Sequence, residues 1–214
     1  MSYFPLFVDL KDKNILVVGG GNVAFRKIVK LLPFEAKITI VSPKICSEIA
    51  ELLVQNKNLT YKQKTVDIDD IKNAYIAITA TDDTSVNAFV AQNCKNNNIF
   101  VNSVDDIENC SFLFPALIKK DSFVMGCTTS AKAPYVSAYL KNIIENDIPE
   151  NLDEIIENIA VLRQELKLKI KEQNIRAKVI HLLLEYYQKH NFNLGLEELK
   201  SELNSLIDNV YLKN

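Results

Sequence analysis

Three glycines near the start of the chain have the spacing of a phosphate-binding loop. The chain of 214 residues contains only five glycines, and three of them are Gly19–Gly21. They follow the apolar run Ile15–Val18, and a helical pattern begins directly after them. The pattern Gly19-x-Gly21-x-x-Ala24 is the dinucleotide-binding fingerprint in the form that ends in alanine. Gly19 would make the turn, Gly21 would let a pyrophosphate approach, and Ala24 would let helix and strand pack closely. The free N–H groups of the helix N-terminus would then bind the phosphates. A glycine-rich turn without a ligand is the alternative.

Polar loops also follow three other predicted strands. They are Ser42–Lys44, Thr81–Asp83 and Asn102–Asp106. A doubly wound sheet binds its ligand beyond the carboxyl ends of its strands, so the four loops together predict one site. Any one of these loops would be weak evidence, because loops are polar in general.

The second predicted strand lacks the acidic residue of a standard NAD site. Such a site has Asp or Glu about 20 residues after the fingerprint, where the carboxylate binds the ribose 2′-OH. This chain has Ser42 at that position, followed by Lys44. The serine hydroxyl can bond a ribose, whereas the lysine could pair with a 2′-phosphate. The residues alone therefore leave NAD and NADP open.

Asp105 is the carboxylate that we single out for proton transfer. It lies beyond a predicted strand of the sheet, near the place that a nicotinamide would reach. Removal of a hydride from carbon is usually accompanied by loss of a proton, which a carboxylate can accept. A turn-forming role for Asp105, next to Asp106, is the alternative.

The composition excludes several classes of protein. Hydrophobic residues make up 48% of the chain and charged residues 24%, which is typical of a soluble globular protein. A net charge of −2 gives no electrostatic reason to expect nucleic acid or an anionic membrane as partner. No segment approaches the roughly 18 apolar residues of a membrane span, and the N-terminus lacks the pattern of a signal peptide. We therefore expect a cytoplasmic protein.

Cysteines and histidines do not form a metal-binding pattern. The four cysteines are far apart, and no two have the C-x-x-C spacing. In a reducing compartment we expect them to be small core residues. His181 and His190 lie near the C-terminus, and we interpret them as exposed or packing side chains. No metal site is predicted.

The predicted elements alternate between strand and helix over about the first 110 residues. After a lead-in over residues 1–12, whose apolar side chains could cover a core edge, strands are predicted at 13–19, 37–41, 59–64, 74–80 and 99–103. Helices are predicted at 22–32, 45–56 and 84–97. This alternation implies right-handed crossovers and a parallel sheet. Two hairpin strands at 111–117 and 122–128, a helix at 133–145 and a helical tail follow. We predict an α/β fold: a Rossmann-like doubly wound parallel sheet (1–110), a small α+β segment (111–149) and an all-α C-terminal region (150–214).

Taken in order, four motifs resemble the siroheme-synthase family. The family comprises precorrin-2 dehydrogenases, some of which also act as sirohydrochlorin ferrochelatases. The resemblance runs from residue 3 to about residue 149 and is weak beyond. The motifs are Gly19-Gly20-Gly21-x-Val23-Ala24-x-Arg26-Lys27, Ala80-Thr81-Asp82-Asp83 with Asn87, Asn102-Ser103-Val104-Asp105-Asp106, and Phe112-x-Phe114-Pro115-Ala116.

The resemblance implies a reaction and a set of cofactor contacts. Precorrin-2 would lose a hydride to NAD⁺ and a proton, giving sirohydrochlorin, and Fe²⁺ would then be inserted in bifunctional members. The family's catalytic aspartate falls on Asp105. The absence of an acid at Ser42 is then usual for the family, which favours NAD. The predicted cofactor-binding residues are Gly19, Gly21, Asn22, Val23, Ser42, Pro43, Lys44 and Thr81.

The implied substrate is a polycarboxylate, so cationic groups should line its pocket. We predict Arg26, Thr129 and Lys132 as substrate-binding residues. Lys119, Lys120 and Lys141 are further candidates. The loop 128–134 departs from the family pattern, because its glycines and the serine before proline are missing. The segment 111–149 is a dimerisation region in the family, so a homodimer is expected. Without a methyltransferase domain, the chain would be a short form that receives precorrin-2 from a separate enzyme.

Two other functions stay open at this point. One is a non-catalytic redox sensor that binds NAD(H) on a Rossmann module. The other is a chelatase-only or tetrapyrrole-binding protein with a vestigial cofactor site, which the altered loop 128–134 would favour.

Overall fold

The computed structural model describes residues 3–104 and 106–212. Asp105, the predicted catalytic carboxylate, lies outside the described residues. The chain forms two compact units. One consists of residues 1–116 with 128–137, and the other of residues 117–127 with 138–214.

A five-stranded parallel sheet forms the centre of the first unit. Its spatial order is β3-β2-β1-β4-β5. Strands β2 and β3 are added on one side of β1, and β4 and β5 on the other. The direction of strand addition therefore changes at β1, and the crevice of this doubly wound sheet lies between β1 and β4. The strands are β1 (Asn14–Val18), β2 (Lys37–Val41), β3 (Leu59–Lys62), β4 (Ile76–Thr79) and β5 (Phe100–Ser103). The predicted doubly wound sheet is confirmed.

Helices cover both faces of the sheet, which explains why its strands are apolar on both sides. On one face Ile28 belongs to the same buried cluster as Ile15 and Ile78. On the other face Val90 belongs to the same buried cluster as Leu16 and Ala77. The helices of this unit are α1 (Asn22–Leu31), α2 (Ser47–Gln55), α3 (Ile68–Ile71) and α4 (Thr84–Asn96), with 3-10 turns at Leu32–Phe34 and Ile107–Asn109.

Some local predictions were wrong. The short helix α3 was not predicted; a capping box formed by Asp67 and Asp70 begins it, and four residues are too few for a periodic signal. In the lead-in, Phe4 is 85% exposed and Phe7 71% exposed, so neither covers the core edge. Leu10 packs against the core instead.

The predicted strand over 111–117 begins later than expected. Ser111 does not start a hairpin, because its N–H and hydroxyl bond to the backbone of Val101 in β5. Pro115 has no N–H to donate to a strand ladder. The strand β6 accordingly spans Ala116–Lys120, and it pairs with β7 (Phe123–Cys127) in a two-stranded sheet.

Helices form the C-terminal part of the chain, as predicted. Leu162 and Leu166 of α6 share a buried core with Leu183 and Tyr187 of α7 and with Leu203 of α8. The helix α5 (Pro134–Asp147) follows the hairpin, and α6 (Leu152–Lys169), α7 (Gln173–Lys189) and α8 (Leu196–Leu212) complete the fold. In the described part of the chain, no helix is long and apolar enough to cross a membrane.

Candidate dinucleotide and substrate site

Gly19 makes a turn that other residues could not make. Its φ is +119°, a conformation that L side chains rarely adopt, and a Cβ there would lie 2.2 Å from the carbonyl oxygen of Ala80. Its N–H donates to the carbonyl oxygen of Val41 at 3.1 Å. The loop after β1 is therefore packed directly against the end of β4 and bonded to β2.

Gly20 has a role that the sequence reasoning missed. A Cβ at this position would lie only 2.0 Å from the carbonyl oxygen of Lys44. The carbonyl oxygen of Gly20 also accepts a hydrogen bond from Cys46 N–H at 2.8 Å. The fingerprint leaves this position open; the only signal for it was a third glycine in a chain that has few.

Gly21 leaves the N-terminus of α1 open. A Cβ built on Gly21 meets nothing within 4 Å. Among the described residues no side chain caps α1, and the first turn of α1 contains no acidic residue. In α4, by contrast, the carboxylate of Asp83 accepts from the N–H groups of Ser85 and Val86. The first N–H groups of a helix have no partner within it, so α1 offers uncapped donors and the positive end of its dipole beside open space. These residues fit the pyrophosphate of a dinucleotide.

The loop after β2 exposes Pro43 and Lys44 and buries the hydroxyl of Ser42. Ser42 is 8% exposed, and its hydroxyl donates to the carbonyl oxygen of Lys44 at 2.7 Å. The hydroxyl of Tyr61 donates to the carbonyl oxygen of Ser42 at 3.0 Å, and Gln63 Nε2 donates to that of Pro43 at 3.3 Å. Ser42, the predicted ribose contact, thus donates its hydroxyl hydrogen bond within its own loop. The side chains of Pro43 and Lys44 are exposed.

Hydrogen bonds to Asn87 fix the loop after β4. The hydroxyl of Thr81 donates to Asn87 Oδ1 at 2.8 Å, and Asn87 Nδ2 donates back to the carbonyl oxygen of Thr81 at 2.9 Å. Asp83 caps α4, and hydrogen bonds from the Ser85 hydroxyl and from backbone N–H groups lower the pKa of the Asp83 carboxyl. The acidic character of this loop is therefore partly explained by helix capping.

The segment after β5 leaves the sheet and returns close to where it left. Val104 N–H donates to the carbonyl oxygen of Thr79 at 3.0 Å, and the hydroxyls of Thr79 and Ser103 are 2.9 Å apart. At the return, Cys110 Sγ accepts from Ser103 N–H at 3.2 Å. The carboxylate of Asp106 accepts from the N–H of Asn109, so Asp106 caps the short 3-10 turn that follows it.

Lys27 is half-buried beside the end of β5, and the sequence reasoning gave it no role. Its Nζ donates to Asn102 Oδ1 at 3.3 Å and lies 4.0 Å from the centroid of the Phe114 ring. Burial, followed by the nearby charge of Lys30, lowers the pKa of Lys27 to about 8. Its place in the glycine motif was the only sequence signal.

Two of the three predicted substrate-binding residues line one open cleft in the first unit. Thr129 and Lys132 line it together with Ile107 and Ser130, and its volume is about 400 Å³. Ile107 is two positions beyond Asp105 in sequence. The Thr129 hydroxyl accepts from Ala133 N–H at 3.1 Å.

The remaining cationic candidates lie elsewhere. Arg26 is exposed on α1 and is not part of the cleft lining. Lys141 pairs with Glu145, and Lys119 donates to the carbonyl oxygen of Asp121. Lys120 is partly exposed on β6.

The loop that carries Thr129 keeps a glycine-like backbone without glycine. Ser130 has φ +56° and Ala131 has φ +63°, both in the left-handed region. Both residues therefore hold a backbone conformation that glycine adopts without a steric penalty.

Histidines and cysteines do not gather into a metal site. Within 3–104 and 106–212, no group of three or more His, Cys, Asp or Glu side chains could hold a metal ion. His181 pairs with Glu185, and His190 lies against the Tyr186 ring with its centroid 4.4 Å away.

Comparison with known proteins agrees with this geometry. Residues 6–116 match the family model described as "Putative NAD(P)-binding". A siroheme synthase of Blochmanniella pennsylvanica is 33% identical over 208 residues, which cover 97% of this chain and 43% of that protein. A siroheme synthase of Buchnera aphidicola is 28% identical over 212 residues, covering 97% of this chain and 45% of that protein. The chain thus spans less than half the length of these curated relatives.

A solved structure named SirC, precorrin-2 dehydrogenase, matches nearly the whole chain. The TM-score is 0.72 at 26% sequence identity, with 96% of this chain and 100% of that chain covered.

The sheet order, the open helix N-terminus and the glycine loop define a Rossmann-type dinucleotide-binding protein. The chain belongs to the NAD(P)-binding family that its residues 6–116 match, and within it to the siroheme-synthase N-terminal type. The predicted family is therefore confirmed. The predicted cofactor, NAD, is confirmed at the level of this family, whose description is NAD(P)-binding.

Proposed function

We propose that the protein catalyses the NAD⁺-dependent oxidation of precorrin-2 to sirohydrochlorin. The observation that carries the proposal is the likeness to SirC, precorrin-2 dehydrogenase, which extends over 96% of this chain and all of that one. The uncapped N-terminus of α1 and the open cleft at Thr129 and Lys132 support it, since the reaction needs both a dinucleotide and a large anionic substrate.

The cofactor site is built on α1 and the loop after β2. The N–H groups of Asn22 and Val23 would bind the pyrophosphate, because no side chain in the described part of the chain caps them. The side chains of Pro43 and Lys44, which are exposed, would contact the adenosine ribose. NAD⁺ supplies the acceptor for the hydride that leaves the substrate carbon. Gly19 and Thr81 hold the two loops that border this site.

Substrate carboxylates and the released proton are handled by other residues. Lys132 is exposed at the cleft and attracts carboxylates, while the hydroxyl of Thr129 beside it supplies a polar contact. Arg26, exposed on α1, offers a second cation. Asp105, whose neighbour Asp106 is committed to its turn, accepts the proton as general base.

Turnover is tested with purified protein, precorrin-2 and NAD⁺. The absorption spectrum of sirohydrochlorin should appear, and a parallel reaction with NADP⁺ should be slower. A known precorrin-2 dehydrogenase run alongside validates the substrate. If no sirohydrochlorin forms with either NAD⁺ or NADP⁺ while the known enzyme is active, the proposal is refuted.

Asp105 is tested by the variant Asp105→Ala. Turnover should be lost while the affinity for NAD⁺, measured by calorimetry, stays unchanged. Asp208→Ala is the matched control, because Asp208 is an exposed carboxylate of α8. An Asp105→Ala enzyme that turns over normally would exclude the general-base role.

Insertion of Fe²⁺ into sirohydrochlorin is a second candidate activity. It is favoured by the name siroheme synthase, which the curated relatives carry. The macrocycle nitrogens supply most of the ligands in such a reaction, so a His/Cys cluster is not required. An insertion assay on sirohydrochlorin with Fe²⁺, in the absence of NAD⁺, tests this activity separately.

We also propose that the protein is located in the cytoplasm. The proposed dehydrogenation consumes NAD⁺, which is supplied there. Cell fractionation tests this location.

A homodimer is the assembly that we propose. Large apolar side chains are exposed along α5; Tyr135 is 89% exposed and Tyr139 65%, and the others are Val136, Leu140, Ile143 and Ile144. Exposed apolar patches of this kind mark protein interfaces. Sedimentation equilibrium should give twice the mass of one chain, and Tyr139→Glu should shift the protein to monomer. A parent protein that sediments as a monomer would contradict the proposal.

Competing functions are separated by two measurements. A redox sensor would bind NAD(H) without turning over precorrin-2, and the capping role of Asp83 means that the acidic loop after β4 does not argue against it. A chelatase-only protein would show no NAD⁺ binding by calorimetry and would still insert iron.

A further inference from the structure

A direct contact joins two sequence motifs in a way that the proposed reaction does not yet use. Lys27 ends the glycine motif, and Asn102, which lies near the end of β5, begins the motif Asn102–Asp106, 75 positions along the chain. Lys27 Nζ donates to Asn102 Oδ1 at 3.3 Å and lies over the Phe114 ring. Burying an ammonium is unfavourable unless it gains partners, so this arrangement needs a reason.

Asn102 carries the contact to the return of the segment. Its Nδ2 donates to the carbonyl oxygen of Phe112 at 3.1 Å and lies 3.5 Å from Cys110 Sγ. Cys110 Sγ in turn accepts from Ser103 N–H at 3.2 Å. The amide of Asn102 therefore ties the end of β5 to residues that follow the segment.

Hydrogen bonds with β4 and α4 also hold the two ends of the segment between Asn102 and Cys110. Val104 N–H donates to the carbonyl oxygen of Thr79 at the start of the segment. Lys95, on α4, donates to Asn109 Oδ1 at 2.7 Å near its end. Lys27 supplies the anchor from α1.

We propose that Lys27 is a positioning residue whose ammonium, by holding Asn102, fixes the described backbone that precedes and follows Asp105 in sequence, at Ser103–Val104 and at Asp106–Cys110. The link to catalysis rests on the proposed function of Asp105, whereas the anchoring of the segment does not. Its neighbour Arg26 is exposed, and the role proposed for it is a separate one, toward the substrate.

The anchor should depend on pH. The pKa of Lys27 is lowered to about 8, first by burial and then by Lys30, whereas Cys110 raises it. Asp106 and Lys95 are the charged groups that act on Cys110 in turn. A charged donor makes a stronger hydrogen bond than a neutral one, so the hold on Asn102 weakens as pH rises through about 8.

Amide hydrogen exchange tests the anchor without any turnover. In Lys27→Met, which keeps the apolar stem over Phe114, exchange in peptides spanning 103–111 should be about tenfold faster, in line with loss of a hydrogen bond to a charged group. Lys27→Arg should restore slow exchange. Lys57→Met, which removes an exposed lysine, is the matched control and should behave as the parent. Equal exchange in Lys27→Met and the parent would overturn the proposal. If Lys27→Met lowers the midpoint of thermal unfolding, the exchange measurement is repeated on Lys27→Gln, which keeps a neutral hydrogen-bond donor. Its exchange over 103–111 should also be faster than in the parent.

Kinetics then separate positioning from general structural support. In Lys27→Met, kcat should fall about tenfold, while KM for precorrin-2 and the affinity for NAD⁺ stay within about twofold. The parent should lose kcat above about pH 8, and Lys27→Arg should shift that loss to higher pH, because arginine stays charged. An unchanged kcat in Lys27→Met, or a fall that arginine does not rescue, would overturn the catalytic link. If the parent protein does not oxidise precorrin-2, only the proposed function is refuted. The anchoring role of Lys27 is still tested by amide hydrogen exchange, which does not need turnover.

Discussion

Gly19 and Gly21 should respond to alanine in opposite ways, one through folding and the other through binding. At Gly19 a non-glycine residue would have to adopt φ +119°, and its Cβ would lie 2.2 Å from a backbone oxygen of Ala80. The backbone strain costs about 1–3 kcal/mol, and overpacking adds about 1–3 kcal/mol. Gly19→Ala should therefore lower the free energy of unfolding by about 2–6 kcal/mol, a large part of the roughly 5–15 kcal/mol of a typical domain.

Gly21 has neither constraint. Its φ of −90° and ψ of −172° suit alanine, and a Cβ there meets nothing within 4 Å. The weaker capping by alanine and the lower chain entropy of the unfolded state nearly cancel, so stability should change by less than about 1 kcal/mol. The added methyl group would instead occupy the space beside α1 that we propose for the pyrophosphate. Loss of one hydrogen bond to a charged group is worth about 1.5–3 kcal/mol, so NAD⁺ should bind at least about tenfold more weakly.

Urea unfolding followed by circular dichroism and calorimetric titration with NAD⁺ measure the two effects on the same preparations. The expected pattern is a destabilised Gly19→Ala and a stable, weakly binding Gly21→Ala. Normal NAD⁺ affinity in Gly21→Ala would show that the phosphates do not approach there. Parent-like stability in Gly19→Ala would refute the packing of the loop against Ala80.

Three further outcomes follow from single side chains. Ala131→Gly should raise the free energy of unfolding by up to about 1 kcal/mol, because φ +63° is unfavourable for alanine; urea unfolding checks this, and a fall in stability would contradict it. Cys94, whose pKa burial raises to about 11, should resist alkylation at pH 8 in the folded protein and react in urea. Mass spectrometry reads the labelling, and rapid native modification of Cys94 would count against its burial. Lys27 has a folded-state pKa of about 8, below that of an unfolded lysine, so the unfolded chain binds more protons between pH 8 and about 10.5 and stability rises with pH there. The pH slope of unfolding should therefore be less positive in Lys27→Met, and identical slopes would refute the shift.

Hydrophobic periodicity and turn-forming residues were enough to predict most of the fold from the sequence. Strand β2 was predicted with its observed bounds, because Lys37–Val41 is short, β-branched and closed by Ser42-Pro43. The sheet topology followed from the alternation of strands with helices. The beginning of β6 could not be read in the same way, since its position depends on the bonds between Ser111 and Val101, which are distant contacts without a local signal.

Motif spacing indicated the position of the phosphate loop but not what each neighbour does. The fingerprint accounts for Gly19 and Gly21, whereas the need for glycine at Gly20 depends on the carbonyl oxygen of Lys44, which a local pattern does not reveal. Asp83 looked like a site residue and is a helix cap. The pairing of Lys27 with Asn102 joins two motifs that are far apart in sequence, so only the folded chain brings it into view.

The close contacts of Gly19 and Gly20 have a consequence for how a ligand is received. The loop after β1 lies against the carbonyl oxygens of Ala80 and Lys44, so the backbones of three loops are packed together without a ligand. Fixing a flexible residue costs about 1–2 kcal/mol in conformational entropy, and a preorganised site avoids that loss on binding. The outward side chain of Lys44 remains free to vary while its backbone stays fixed. We therefore expect substitution of Lys44 to change the preference between related dinucleotides without disturbing the loop that we propose as the phosphate site.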